Sequence, residues 1–293
     1  MSNASEVREF LTTRRAKITP QRAGLPTYGR HRRVSGLRRE EVALLAGISV
    51  EYYTRLERGN VRGVSDEVLE AVSRTLQLDE AERAHLLDLA RSANAVRPAR
   101  RSATPQRVRP SVQRIVDAMS EIPAFVQNGR LDILYANGLA EALYSDMFQD
   151  TDRPPNSARF LFLDPRARTF YVEWESAARD IVATLRGTAG RNPYDRDLSD
   201  LIGLLSTRSE EFRARWASHD VRFHRSGTKR LRHPLVGDLT VAYESLDLPA
   251  DASLTLVTYS AEPGSASEAA LQELAGWSAA RAKLSAVEAQ AQV

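Results

Sequence analysis

Residues 37–59, Leu-Arg-Arg-Glu-Glu-Val-Ala-Leu-Leu-Ala-Gly-Ile-Ser-Val-Glu-Tyr-Tyr-Thr-Arg-Leu-Glu-Arg-Gly, constrain the fold more than any other stretch. The spacing predicts two short helices joined by a tight turn. Leu37, Val42, Ala43 and Leu45 fall on one side of the first helix, and small Ala43 stands where the two helices would cross. Gly47 follows the last turn of that helix, where a residue without a Cβ accepts left-handed backbone and lets the chain reverse. Ile48 plugs the turn, and Ser49 sits where a hydroxyl can cap the free amides of the next helix. Tyr53 and Leu56 point the second helix into a core, and Gly59 ends it. Helix, glycine turn, capped helix is the helix-turn-helix arrangement. The plainer alternative is an ordinary αα-hairpin with a basic face.

Charge favours the first reading. Residues 1–62 carry thirteen Lys/Arg against six Asp/Glu, a net +7, so the rest of a chain of total charge +3 carries −4. A basic head on a mildly acidic body fits phosphate binding by the head alone, although a solvated basic face would look the same by charge. Within the head, residues 19–36 form a long Gly/Pro-rich connection holding Arg22, Arg30, His31, Arg32 and Arg33. Such an insert reads either as an arm for phosphate or the minor groove, or as an exposed loop with incidental charge.

The remaining sequence sets the organisation. A length of 293 residues suits two domains, and 42% hydrophobic residues suffice for real cores. The absence of cysteine excludes disulfides, thiol catalysis and thiolate metal sites. No apolar run approaches the roughly 20 residues of a membrane span, and the first ten residues lack a signal-peptide core, so a soluble cytoplasmic protein without membrane partners is expected. Helices are predicted at 5–17, 66–76 behind Ser65, and 80–92 behind an Asp79/Glu82 capping box, completing a five-helix domain over 1–93. Residues 94–110 hold three prolines, five arginines and no acid, the composition of a linker.

Beyond it, residues 111–264 read as α+β with an antiparallel sheet. A helix at 112–119 precedes strands at 122–127 and 131–135 around the hairpin dipeptide Asn128-Gly129. Helices are predicted at 139–148, 166–187, 197–207 and 209–218. Strands at 221–225 running toward 232, 239–246 and 254–259 follow, and an Ala-rich helix or tail occupies 265–293.

These residues resemble a known family. The 37–59 stretch is similar to the head of the xenobiotic-response-element (Cro/C1-type) regulators, and more narrowly to the MmyB-like subgroup. The likeness runs over about residues 5–265. It continues in Tyr135-Ala-Asn137, Trp174-Glu175, Trp216 with His219-Asp220-Val221-Arg222, residues 226–234 (Ser-Gly-Thr-Lys-Arg-Leu-Arg-His-Pro) and residues 258–264 (Thr-Tyr-Ser-Ala-Glu-Pro-Gly). It implies a lambda-repressor-like head and a PAS-like C-terminal domain that takes a small, apolar, fatty-acid-like ligand. The insert at 19–36 departs from the compact repressor pattern.

By this resemblance the helix at 49–58 reads DNA. Val50 would meet a thymine methyl, Glu51 a cytosine amine and Arg55 a guanine, with Ser49, Thr54 and Arg58 beside them. Arg38, Arg39, Arg32 and Arg33 would grip phosphate. Tyr52 would either do the same or pack against Leu37, and Glu57 would pair with a nearby arginine. One head offers little area, so a homodimer on an inverted repeat of double-stranded DNA is expected. Phe125, Tyr135, Asn137, Leu143, Phe170, Trp174, Ile181 and Tyr243 are candidates to line the ligand pocket. Each could instead be core, and Asn137 could be a helix cap. The alternative for the C-terminal domain is a dimerisation or protein-docking module without a ligand. His219, His224 and His233 are scattered among basic residues and make a poor metal site. No nucleophile or phosphate-loop motif accompanies them, so neither an enzyme nor a cofactor is expected.

Overall fold

The computed structural model describes residues 3–26, 34–94, 106–149, 154–220, 225–251 and 253–291, with side chains described as far as residue 281. The chain forms two compact units. The first comprises residues 1–100, 182–203 and 213–223, and the second comprises 101–181, 204–212 and 224–293. The boundary expected at 94–110 therefore does not by itself separate them, because two later segments join the head.

In the first unit, α1 (Asn3–Lys17), α2 (Arg39–Ala46), α3 (Val50–Glu57), α4 (Asp66–Thr75) and α5 (Glu80–Asn94) enclose one core. Phe10, Leu11, Leu37, Val42, Ala43, Tyr53, Leu56, Val72 and Leu86 are all at most 1% exposed within it. Gly47 adopts φ 68° and ψ 32°, and the amide of Ile48 donates back to the Ala43 carbonyl at 3.0 Å, closing α2. The Ser49 hydroxyl accepts the Tyr52 amide at 3.0 Å and opens α3. The Asp79/Glu82 box forms in both directions, at 2.8 and 3.1 Å. Leu45 departs from expectation: it is 40% exposed, because α2 turns only Val42 and Ala43 fully inward. Two glycines let α1 clasp the motif. A Cβ at Gly59 would sit 2.3 Å from the Ala4 carbonyl oxygen, and one at Gly36 would sit 2.6 Å from the Ala16 backbone.

The second unit is built on a five-stranded antiparallel sheet. Its strands are β1 (Ala124–Asn128), β2 (Ile133–Ala136), β3 (Ser226–His233), β4 (Gly237–Asp247) and β5 (Leu254–Ser260), in the order β2-β1-β5-β4-β3. With its helices it is the expected α+β, PAS-like fold. Helix α6 (Pro110–Ala118) covers one face, where Val112 and Val116 meet Val126, Leu254 and Leu256. The other face carries Phe125, Leu231, Leu239, Val241, Tyr243, Val257 and Tyr259 against α7 (Gly138–Leu143). The Asn128 side chain accepts the amides of Arg130 and Asp132 at 2.9 and 3.1 Å, and Leu131 takes φ 67°, so this hairpin loop is longer than the Asn-Gly turn predicted.

The helix predicted over 139–148 ends early, and a 3-10 turn at Met147–Gln149 replaces its last residues. Next come α8 (Ser157–Leu163), capped by Asn156, and α9 (Ala167–Phe170). The single helix expected over 166–187 is broken at Tyr171. There the chain is extended (φ −89°, ψ 105°), Tyr171 bridges to Leu231, and the Val172 amide donates to the Arg230 carbonyl at 3.1 Å. Joining the sheet edge overrides helical periodicity at that point. The helix resumes as α10 (Trp174–Arg191), followed by α11 (Arg196–Arg208) and α12 (Glu210–Ala217). Of the strand predicted from 221, residues 221–224 lie outside the described residues, and β3 runs over 226–233. The last helix, α13 (Ala266–Ala291), packs on α7 and β4 and places Leu271 and Leu274 in the core. It is thus part of the second unit. A Cβ on Gly138 would lie 2.6 Å from the Ser278 hydroxyl, a measure of how closely α7 and α13 approach.

Candidate functional site

Helix α3 presents two opposed sides. Tyr53, Leu56 and Glu57 face inward with at most 1% exposure. Val50, Glu51, Arg55 and Arg58 are exposed on the other side with Thr54 partly so, a spacing of one and four residues that puts them on one helical stripe. The inward side is anchored by charge as well as by packing. The Glu57 carboxylate accepts the Arg15 Nε at 2.6 Å, and its second oxygen accepts the Arg39 Nε. Arg15 also donates to the Leu37 carbonyl at 2.8 Å, tying α1 to the entry of the motif. Burial pushes the Tyr53 hydroxyl far above its ordinary pKa, reinforced by the neighbouring Glu57 charge, so it stays a neutral core group. Tyr52 rests half-buried on the core, and the Arg55 guanidinium lies 5.1 Å above its ring. That contact holds Arg55 over the outward face.

In the second unit the rings of Phe125, Tyr144, Phe170 and Tyr259 stand 5.4–6.1 Å apart, and Tyr243 is 6.4 Å from Tyr259. The Tyr144 hydroxyl donates to that of Tyr259 at 2.8 Å. Lys229 reaches this cluster from β3: its Nζ donates to the Tyr259 hydroxyl at 3.1 Å and lies 4.7 Å above the Tyr243 ring. Burial works to lower the pKa of this ammonium, but the Tyr259 and Tyr171 hydroxyls and the Asp180 charge outweigh it, so the group stays charged. Burial raises the Tyr171 hydroxyl to about 12 and Tyr144 well above its ordinary value. A retained cation beside hydroxyls and aromatic faces is the feature of this packed apolar core suited to a negatively charged group.

Two family models match the chain. One describes a helix-turn-helix domain and covers residues 29–86. The other describes the MmyB-like transcription regulator ligand binding domain and covers residues 108–274, more than half of the chain. The chain belongs to the MmyB-like transcription regulators. It is a transcriptional regulator with a DNA-binding helix-turn-helix domain and a ligand-binding domain. Among curated proteins none matches it. No helix among the described residues is long and apolar enough to cross a membrane.

In this MmyB-like regulator Ser49, Val50, Glu51, Tyr52, Thr54, Arg55 and Arg58 stand together on or at the ends of α3. Arg38 precedes α2 and pairs with Glu40 at 3.2 Å; Arg39 begins α2 and remains half-exposed beside Glu57. Arg32 and Arg33 lie outside the described residues, as do Arg30 and His31. Of the eight ligand-pocket candidates, Phe125, Leu143, Phe170, Trp174 and Tyr243 meet in one core, with Ile181 packed on it. Tyr135 does not join them. It pairs across the sheet with Val126, whose side chain faces α6, and its hydroxyl donates to Asp117 at 2.7 Å. A strand residue one register step away faces the other side of the sheet. Asn137 is a cap: its Oδ1 accepts the Ala140 amide at 2.8 Å and its Nδ2 donates to the Met119 and Ile122 carbonyls at 2.7 and 2.8 Å. Lys229, Tyr144 and Tyr259 were missed. Lys229 looks like one more charge in a basic strand, and only its alternation with exposed neighbours hints that it turns inward.

His219 and His233 have separate partners, the latter donating from Nε2 to the Ala142 carbonyl at 3.0 Å, while His224 lies outside the described residues. Among the described residues no three His, Cys, Asp or Glu groups converge to hold a metal ion.

Proposed function

We propose that this chain is a cytoplasmic regulator that binds operator DNA sequence-specifically through α3 and responds to an apolar ligand carrying a negatively charged head. In this reading residues 1–93 bind DNA, 111–264 bind the ligand and 94–110 tether them. Val50, Glu51, Thr54 and Arg55 read base edges; Arg38, Arg39, Tyr52 and, from the 19–36 insert, Arg32 and Arg33 grip phosphate. A homodimer places two copies of α3 about one helical turn apart on an inverted repeat. The observation that carries the reading is the outward stripe of α3, exposed on a helix whose other side is locked by Tyr53, Leu56 and Glu57.

For the ligand, Phe125, Leu143, Phe170, Ile181 and Tyr243 supply apolar surface and Lys229 with Tyr259 supplies the polar end. A fatty-acid-like molecule satisfies both. The close ring packing among Phe125, Tyr144, Phe170 and Tyr259 also favours a second reading, in which the domain is a filled dimerisation or docking module. One mobility-shift titration separates them, using promoter DNA adjoining the chain's own gene, with and without dodecanoate. Binding that shifts with dodecanoate in the wild type but not in Lys229→Met supports the ligand reading. DNA binding indifferent to dodecanoate and to extracted lipids favours the module, and no binding at low salt overturns both.

A further inference from the structure

The first unit contains a buried ionic node that DNA reading does not require. Arg186, at 0% exposure, donates from Nη1 to the Glu6 carboxylate of α1 and from Nη2 to the Trp216 carbonyl, with its guanidinium 4.1 Å above the Trp216 ring. Its Nη1 is also 2.8 Å from the His219 Nδ1. His219 is held between two carboxylates of α1, at 3.4 Å from Glu6 and 2.7 Å from Glu9. From α5, His85 approaches Glu6 at 3.8 Å, and Glu82 holds Arg14 at 2.7 Å. Arg14 in turn donates to the His219 carbonyl at 2.5 Å, and both Arg14 and Lys17 face Asp220, at 3.5 and 2.8 Å.

Three features set this cluster apart from ordinary packing. His219 adopts φ 53° just beyond the end of α12, a left-handed stop that turns its ring and carbonyl toward α1. Gly190 brings α10 so close to His85 that a Cβ would lie 2.7 Å from the imidazole. The contact is also made of charges rather than hydrocarbon. A buried guanidinium deprived of its carboxylate is strongly disfavoured, so the node is closed as a whole or open as a whole. Arg186, Trp216 and His219 lie in the region matched by the ligand-binding family model, while Glu6 and Arg14 lie on the first helix of the head.

Helix α1 also leads to the reading helix. Arg15, next to Arg14, supports Glu57 at the inward end of α3, and Glu57 positions Arg39. Gly59 and Gly36 seat the two ends of the motif on the α1 backbone.

We infer that the Glu6–Arg186–His219 node is a lock by which residues 182–203 and 213–220, from the region matched by the ligand-binding family model, hold α1 within the first unit, and that closing or opening it sets the DNA affinity of the head. This rests on the DNA-binding reading above. On this inference the node has a closed and an open arrangement, the kind of element a ligand can bias at a distance.

The test uses the full chain with four variants: Glu6→Gln and Arg186→Met at the centre, Glu9→Gln at the exposed rim, and Arg83→Met at a surface pair outside the node. Affinity for the promoter fragment is read by mobility shift, folding by thermal melts, and local opening by hydrogen exchange. The lock requires that Glu6→Gln and Arg186→Met weaken DNA binding by about tenfold, that Glu9→Gln weaken it by about threefold, and that Arg83→Met leave it unchanged. Unchanged or tighter binding in folded Glu6→Gln or Arg186→Met overturns it. If those two variants fail to fold, Glu9→Gln alone decides. Hydrogen exchange is independent of DNA: in Glu9→Gln, protection must fall together in residues 3–17 and 182–191, and loss in only one of them overturns the lock. If the wild type binds no fragment while Glu9→Gln shows this joint loss, the DNA reading falls and the coupling of α1 to residues 182–191 stands.

Discussion

Helix α3 and the aromatic core of the second unit use their residues in opposite ways. On α3 the residues assigned to recognition face outward, and the residues that hold the helix face inward, so the two tasks fall to different positions. In the aromatic core the same side chains would do both. Phe125, Phe170 and Tyr243 are buried in the core of that unit and are also the candidates to touch a ligand. Recognition separated from support can be altered without unfolding the domain, whereas recognition merged with support cannot.

Substitutions can break or sharpen this contrast. The largest effect is expected from Phe170→Ala, which should destabilise the second unit by about 3–5 kcal/mol in chemical denaturation, because it leaves a cavity among packed rings. Losing ligand response with stability intact would mean that support and recognition are separate there too. Next, Glu57→Ala should cost about 3 kcal/mol of stability, since it leaves Arg15 with no carboxylate beneath α3. An unchanged denaturation midpoint would place support elsewhere. Asn137→Ala should cost about 2 kcal/mol, through the lost cap of α7 and the two carbonyls it leaves behind. Its ligand affinity should hold once the fold is saturated.

Arg55→Ala should leave the melting temperature alone and cost about 1–3 kcal/mol of operator binding, relaxing selectivity at one base pair. Equal weakening on every sequence would make Arg55 a phosphate contact.

Acidification should have the mildest effect, and on the first unit. Burial holds the His85 imidazole below its ordinary pKa, so the unfolded chain takes up that proton first and stability falls as the pH drops through about 6.5. For Glu6, burial opposes ionisation, but the His219, His85 and Arg186 contacts outweigh it and keep the carboxyl well below the usual range. Its stabilisation is present above the carboxylate's ordinary pKa of about 4.5 and is lost as the pH falls further. Melts from about pH 7 to about pH 4 should decline in that order, and replacing His85 by Asn should remove the earlier part.

How legible each region was in the sequence follows from the same contrast. The motif announced itself because glycine at a left-handed turn, a serine cap and apolar spacing are all local signals, and Gly47, Ser49 and the Asp79/Glu82 box behave as those signals say. Leu45 misled because in a helix of only eight residues Val42 and Ala43 fill the inward face, leaving both Leu44 and Leu45 exposed. In the second unit the α+β class and the antiparallel sheet could be read, but Tyr171 could not: its partner Leu231 is sixty residues away, and no local pattern reports that pairing. Tyr135 was assigned to the wrong face for a related reason, since the pairing irregularity between Val126 and Gln127 decides which side it takes. The adhesion of residues 182–203 and 213–223 to the head was invisible, because isolated Arg186 and His219 resemble any surface charge until Glu6 is beside them.

Since Glu57 fastens the hidden side of α3 to both Arg15 and Arg39, the visible side is at liberty to change. If positions 50, 51, 54 and 55 read bases as proposed, exchanging them would retarget such a molecule to another promoter while its scaffold stayed put. A lineage built on this plan could acquire new gene targets by a handful of codon changes, with the old chassis inherited whole.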